Sequence, residues 1–172
     1  MELSEDTPEY PAEQGPLEIL YEDGHILAVD KPAGMLIHPS RSCNTGTLAN
    51  YVLGHYALTG QSCAFHPITR LDRDTFGIVL IATNSHAHAR LQQLPLQKTY
   101  HALVYQGPAE EAGCIDAPIA RRPLPSLLRY VDPSGKPSRT EYRVLERNGL
   151  LCTLALQPIT GRTHQLRVQC AH

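Results

Sequence analysis

The stretch HPITRLDRDTFG, residues 66–77, places Asp72 and Asp74 two positions apart among Arg70 and Arg73. On an extended segment such side chains point the same way, so the two carboxylates would suit acid and base work of the kind that glycosidases perform. The neighbouring arginines favour ionised carboxylates, however, and so oppose the raised pKa that a general acid needs. One ionised aspartate acting as a nucleophile fits these surroundings better than an acid and base pair does. The structural alternative is a loop that caps the apolar strand after it.

A second group of chemically capable side chains lies in GRTHQLR, residues 161–167. Arg162 and Arg167 carry planar guanidinium groups that match a carboxylate or a phosphate. His164 and Arg167 are three positions apart and would share a face in a helix. Tyr100, in KTYHALVYQG, is a third candidate, because aromatic side chains stack on nucleobases where they line a basic groove.

Charge is distributed unevenly along the chain. The formal net charge is −2, but residues 1–86 carry −7 and residues 87–172 carry +5. The near-neutral total argues against a bulk polyanion binder, whereas the basic second half suits contacts to phosphate. Seven basic residues of this half fall within one stretch, which we call the basic strip: Arg121, Arg122, Arg129, Lys136, Arg139, Arg143 and Arg147. The strip is either a phosphate-facing surface or a solvated, salt-bridged face.

Periodicity and turn residues predict the elements that position these side chains. LEILYEDGHILAVDKP is typical of two strands around a turn; GIVLIA and KTYHALVYQG predict further strands, and the Asn148-Gly149 turn predicts a hairpin. Because hairpins outnumber strand-helix-strand crossovers, we expect a mixed α+β fold with a mainly antiparallel sheet and helices on one face. Helices are predicted in three segments: 46–60, 84–94, and from 160 or 163 onward.

Length and composition bound the class of protein. A chain of 172 residues suits one domain with one core, with residues 1–16 as a flexible acidic tail and 17–172 as the folded domain. The longest apolar run, GIVLIA, is far short of the roughly 18 residues of a membrane span. The start does not resemble a signal peptide, the five cysteines fit reduced thiols, and the histidines lack a ligand cluster. We therefore expect a cytoplasmic protein without a metal.

Three motifs, RLDRDT, KTYHALVYQG and PITGRTHQLRVQ, together resemble those of the RluA-type family of pseudouridine synthases, RLDxxTSG, KxYxAxVxG and PxTGRxHQLRxH. The resemblance also covers ILYEDGHILAVDKPAGMLIHP, GTLANYVL and GKPSRTEYRVL. It implies that family's catalytic-domain fold and the isomerisation of uridine to pseudouridine in structured RNA, either rRNA or tRNA. In that reaction the glycosidic bond breaks and the ribose is rejoined to carbon 5 of the base. No cofactor is implied.

The resemblance also implies roles for particular residues. Asp72 corresponds to the catalytic aspartate, Tyr100 to the tyrosine that packs against the uracil, and Arg167 to the basic residue that pairs with the aspartate. A base stacked in RNA cannot reach a carboxylate, so it must be extruded at a cost of a few kcal/mol. Arg70 corresponds to the arginine associated with this flipping.

Further residues of the last motif, and the basic strip, are expected at the RNA. Leu166 would pack beneath the site, and Arg162 and His164 would contact the RNA or the flipped base. The strip supplies the candidate phosphate contacts, Arg121, Arg122 and Arg129.

This sequence departs from the family pattern at three positions. Thr69 stands where many members have histidine, and Phe76 stands where TSG has serine; altered packing with retained activity is expected at both. Gln169 occupies a position that is often histidine, and its effect does not follow from the sequence.

The chain stops at His172, just after the third motif, where family members usually continue with further strands. We expect an incomplete sheet edge, and a monomer that can associate through that edge. A non-catalytic RNA-binding remnant of the same fold is therefore the alternative function. A carboxylate-pair glycosidase is a third hypothesis, which predicts that Asp74 matters as much as Asp72.

Overall fold

The computed structural model describes residues 10–40 and 42–172 and divides into two compact units, Met1–Pro95 and Leu96–His172. The first unit contains a four-stranded antiparallel sheet of order β1-β2-β4-β3 together with two helices. In chain order its elements are β1 (Glu18–Glu22), β2 (Ile26–Lys31), α1 (Leu48–Thr59), β3 (His66–Pro67), β4 (Gly77–Ala82) and α2 (Ser85–Leu91).

Helix α1 begins and ends where the sequence predicts. Thr47 and Asn50 form a capping box at its start, and Gly60 adopts a left-handed conformation with φ of 72° at its end. Val52 and Tyr56 of α1 belong to the same buried cluster as Val29 of β2 and other residues of the sheet. This cluster forms the core of the first unit.

Residues 10–16 run against α1, although the sequence predicted a flexible tail for this segment. Glu13 N donates to Asn50 O at 2.9 Å, and Asn50 Nδ2 donates to Pro11 O at 2.9 Å. At Gly54 the backbone approaches so closely that an added Cβ would overlap the carbonyl of Glu13. Glycine is therefore required at this position of α1. Residues 1–9 lie outside the described residues.

The second unit contains a four-stranded antiparallel sheet of order β5-β10-β9-β6, a separate two-stranded hairpin and one helix. Its elements are β5 (Tyr100–Tyr105), β6 (Ala112–Asp116), β7 (Ile119–Arg121), β8 (Arg129–Val131), β9 (Arg139–Asn148), β10 (Leu151–Pro158) and α3 (Gln165–Cys170).

The β9–β10 hairpin turns at Asn148 and Gly149, as predicted, and Gly149 has a φ of 60°. Alternate residues of β5, including Tyr100 and Val104, pack against a buried cluster on β10 that includes Leu154. Strand β5 therefore buries one side against the sheet, which is the alternation predicted from KTYHALVYQG.

The expected fold class is confirmed, because the fold is α+β and every strand pairing among the described residues is antiparallel. Where one core was expected from the length, the described part of the chain has two buried clusters, one in each unit. Within residues 10–40 and 42–172, no helix is long and apolar enough to cross a membrane.

Candidate active site

The candidate nucleophile, Asp72, lies in the loop between β3 and β4 of the first unit. The loop makes a tight turn in which Thr75 N donates to Asp72 O at 3.1 Å, and Asp72 is half-buried. Gly77 ends the loop with a φ of 118°, a conformation that other residues rarely adopt. The glycine that closes the motif is thus explained by the turn into β4.

A buried lysine that the sequence analysis did not single out lies against this loop. Lys31, at the end of β2, has no exposed surface. Its Nζ donates to Pro32 O at 2.8 Å, Met35 O at 3.0 Å and Arg73 O at 3.1 Å. One ammonium group therefore joins the Lys-Pro-Ala-Gly turn to the residue between the two aspartates.

Two further hydrogen bonds join the same two loops. Gly34 N donates to Arg73 O at 2.8 Å, and Arg73 Nε donates to Gly34 O at 3.2 Å. Gly34 has a φ of 85°, which places its N–H for this contact. Arg73 is thereby held to Gly34 through both its backbone carbonyl and its side chain.

Two opposing effects act on the pKa of Lys31. Burial lowers the pKa of Lys31, whereas the carboxylates of Asp74 and then Asp72 act in the opposite direction. The lysine is thus close enough to both aspartates to interact with them electrostatically. Asp74 is more exposed than Asp72, so the two carboxylates occupy different surroundings.

The two departures from the family pattern in this loop have different structural outcomes. Thr69 is buried, and its hydroxyl accepts a hydrogen bond from Leu80 N at 2.9 Å, so it fastens the loop to β4. Phe76 is 74% exposed and so contributes little to packing within the chain. Arg70, the candidate base-flipping residue, is also exposed.

In the second unit, Tyr100 is the first residue of β5 and is half-buried against the β10 cluster, as is Leu166 of α3. Arg167 is exposed and lies in the last turn of α3. Arg162 is exposed, and its Nε donates to Pro137 O at 3.1 Å. His164 precedes α3 in a left-handed conformation with φ of 58°, so it does not share a helical face with Arg167 as the sequence predicted.

Two buried glutamines, neither of them a predicted site residue, attach α3 to β9. Gln165 Nε2 donates to Thr140 Oγ1 at 2.9 Å, and its Oε1 accepts from Arg162 N at 3.0 Å. Thr140 Oγ1 donates in turn to Gln169 Oε1 at 2.6 Å, and Gln169 Nε2 donates to Ser138 O at 2.9 Å. Gln169, the third departure from the family pattern, therefore positions the helix that carries Arg167.

The basic strip is distributed over several strands of the second unit. Arg121 and Arg129 are register partners in the β7–β8 hairpin, and Arg122 lies over the ring of Tyr130 with 5.8 Å to its centroid. Farther along, Arg147 pairs with Glu111 at 3.1 Å, so that end of the strip is salt-bridged. The hairpin arginines remain the better candidates for phosphate contacts.

Asp72 and Arg70 thus share one loop of the first unit, whereas Tyr100, Leu166 and Arg167 lie in the second. The pairing of Asp72 with Arg167 and the packing of Tyr100 on a uracil stay predictions. Among the described residues, no group of three or more His, Cys, Asp and Glu side chains is placed to hold a metal ion.

Comparisons with known proteins agree with the motifs. Residues 25–172 match the family described as RNA pseudouridylate synthase. The uncharacterized RNA pseudouridine synthase YjbO of Bacillus subtilis is 40% identical over 165 residues, which are 94% of this chain and 58% of the relative. The ribosomal large subunit pseudouridine synthase D of Nitrosomonas europaea is 40% identical over 169 residues, 96% of this chain and 49% of the relative. The chain thus spans about half the length of these relatives.

Solved structures agree as well. Human RNA pseudouridylate synthase domain containing 1 matches with a TM-score of 0.73 and 26% identity, covering 94% of this chain and 66% of that protein. Human RNA pseudouridylate synthase domain containing 4 matches with a TM-score of 0.70 and 28% identity, covering 88% and 62%.

Proposed function

Since the chain belongs to the RNA pseudouridylate synthase family, we propose that it isomerises uridine to pseudouridine in RNA, with Asp72 as the nucleophile. The observation that carries the proposal is the match over residues 25–172, which includes the aspartate loop. The environment of the loop supports it, because Lys31 brings a positive charge close enough to the Asp72 carboxylate for the two to interact electrostatically. An ionised aspartate is what a nucleophilic role requires.

The remaining residues take the roles that the motifs imply, within a catalytic domain of residues 17–172. Arg70 is exposed and extrudes the target base from its stack. Tyr100 packs against the extruded uracil above Leu166, and Arg167 forms a charge-assisted pair with Asp72. Arg162 and His164 contact the RNA, and the hairpin arginines bind its phosphates: Arg121, Arg122 and Arg129.

Large-subunit rRNA is the first substrate to test, because relatives are named ribosomal large subunit pseudouridine synthases. This substrate would place the protein in the cytoplasm, where bacterial ribosomes are assembled. Transfer RNA is the second substrate to test.

The test is pseudouridine mapping at single-nucleotide resolution on rRNA and tRNA from cells that lack the endogenous activity. We expect new sites with the unmodified chain and with Asp74→Asn, and none with Asp72→Asn, which keeps the shape of the side chain but removes its charge. Equal losses in both variants would favour a two-carboxylate mechanism instead. RNA binding without any new site would favour the non-catalytic RNA-binding alternative.

A further inference from the structure

Phe76 is an aromatic residue of the aspartate loop, between β3 and β4, and the family's motifs assign it no role. It stands where the family pattern has serine, and its side chain is 74% exposed. The other phenylalanine of the chain, Phe65, lies in the core of the first unit. Isolated exposed apolar residues are common, so exposure alone does not indicate a contact. The position of Phe76 in the loop is what points to one.

The backbone holds Phe76 in place from both sides. On one side, Thr75 N donates to Asp72 O at 3.1 Å. On the other side, Gly77 is the register partner of Lys31, at the start of β4. An aromatic side chain has only two rotatable bonds, so on a fixed backbone it loses little conformational entropy when a ligand contacts it. The loop therefore presents the ring already ordered.

Phe76 also lies close to the candidate nucleophile. The hydrogen bond from Thr75 N to Asp72 O closes a four-residue turn, which brings the Cα atoms of these two residues within about 7 Å of each other. The next Cα along the chain is at most about 3.8 Å farther, so that of Phe76 lies within about 11 Å of that of Asp72. An RNA strand whose uridine reaches Asp72 therefore brings a neighbouring nucleotide within reach of this ring.

The chemistry of the loop favours a nucleobase over a phosphate at this ring. Residues 70–74 carry two arginines and two aspartates, so this part of the loop has no net formal charge with which to attract a phosphate. The face of an aromatic side chain stacks on nucleobases, because every base has a planar π face. Extrusion of the target uridine removes a stacking partner from the bases beside it, and a protein ring can replace that partner.

We propose that Phe76 stacks on a nucleobase next to the target uridine, so that the choice of uridine depends on the base beside it. The proposal rests on the proposed function, since it names a specificity-determining residue of the same site. A purine presents a larger ring system than a pyrimidine, and stacking strength sets the preference among bases. Uridines with a purine neighbour are therefore the favoured targets.

The test is the binding of the full chain to a labelled RNA heptamer with one central uridine between adenosines, followed by fluorescence anisotropy. Phe76→Ser, which supplies the residue of the family pattern, should weaken binding about five- to tenfold, because it removes one stacked ring. Phe76→Tyr keeps the ring and should change binding by less than about twofold. The matched control is Leu58→Ser, which removes a side chain that is 72% exposed on α1 and should also change binding by less than about twofold.

A second heptamer, with abasic ribose on both sides of the uridine, tests whether the ring contacts a base. It should bind the unmodified chain and Phe76→Ser with equal affinity. A loss in Phe76→Ser that is the same for both heptamers would overturn the proposal, because the ring would then contact something other than a flanking base. No loss for the first heptamer, or no binding of it, would overturn the proposal as well.

The two proposals fail in different ways, because binding of the heptamers needs no turnover. A chain that shows the expected binding pattern but forms no pseudouridine would refute the proposed function and leave the stacking contact standing. A chain that forms pseudouridine, with Phe76→Ser indistinguishable from it in both binding and choice of sites, would refute the stacking contact alone.

Discussion

Replacing Lys31 by methionine tests whether this buried ammonium holds the aspartate loop. The substitution keeps an unbranched side chain of similar length but removes three donated hydrogen bonds. Arg73 O retains its bond from Gly34 N, so Pro32 O and Met35 O are the two carbonyls left without this donor. An unsatisfied acceptor costs about 1–3 kcal/mol.

The low end of that range applies to each of the two carbonyls. Pro32 is exposed, so water reaches its surroundings, and removal of the ammonium also removes the cost of its desolvation. We expect Lys31→Met to lower the free energy of unfolding by about 2 kcal/mol, which is roughly a 30-fold change in the unfolding constant. Urea denaturation measures it, with Lys98→Met at an exposed position as the matched control.

Amide hydrogen exchange locates the effect. The Gly34 and Thr75 amides, which donate to Arg73 O and Asp72 O, should exchange faster in Lys31→Met, while the amides of β9 should not change. A loss of stability below about 0.5 kcal/mol, or one equal to that of Lys98→Met, would refute the reasoning, since surface substitutions stay within about that range.

The pH dependence gives an independent check. Burial lowers the pKa of Lys31 in the folded state, against the pull of Asp74 and Asp72, while the unfolded chain keeps a lysine pKa of about 10.4. Between the folded pKa and that value the unfolded chain binds more protons, so the stability from this group rises with pH. The difference in unfolding free energy between pH 7.5 and 9.5 should therefore be smaller in Lys31→Met than in the unmodified chain.

Two further predictions concern the first unit. Gly54→Ala should lower the unfolding free energy by about 1–2 kcal/mol, because displacing the Glu13 carbonyl breaks hydrogen bonds that outweigh the gain in helix propensity. The control is Gly24→Ala, where an added Cβ meets nothing and the unfolding free energy should not fall. Equal effects of the two substitutions in urea denaturation would count against the clash. The pKa of His88 is lowered mainly by burial and secondly by the stacked His66. As the pH falls, the unfolded chain therefore protonates this histidine before the folded chain does. Stability should fall as the pH drops below about 6.5. His88→Gln should reduce that fall between pH 7.5 and 5.5, and a fall as large as in the control His86→Gln would contradict the assignment.

Elements set by local patterns were predictable from the sequence. The alternation of KTYHALVYQG predicted β5, the Asn148-Gly149 turn predicted the β9–β10 hairpin, and the segment 84–94, predicted to be helical, contains α2. In each case the determining residues are neighbours in sequence. The strands β6, β7 and β8 were not predicted, because they are short and two of them pair with each other across a loop that contains two prolines.

The supports of the candidate site were not predictable, because their partners lie far along the chain. Lys31 donates to a carbonyl 42 positions away, and nothing in the sequence around it indicates that its ammonium is buried. Gln169 contacts Ser138 and Thr140, about 30 positions earlier. The motifs identify candidate chemistry, whereas such long-range polar contacts position it.

The β9–β10 hairpin also sets an order of assembly for the second unit. Its paired residues are at most 18 positions apart, so closing its loop costs little entropy, whereas β5 pairs with residues of β10 that are 46 to 56 positions away. Nearby contacts form before distant ones, so the hairpin presents two ready strand edges, one for β6 and one for β5. We therefore expect the strand that begins with Tyr100 to add to the sheet last. The candidate uracil contact is therefore completed only when the rest of this sheet has formed.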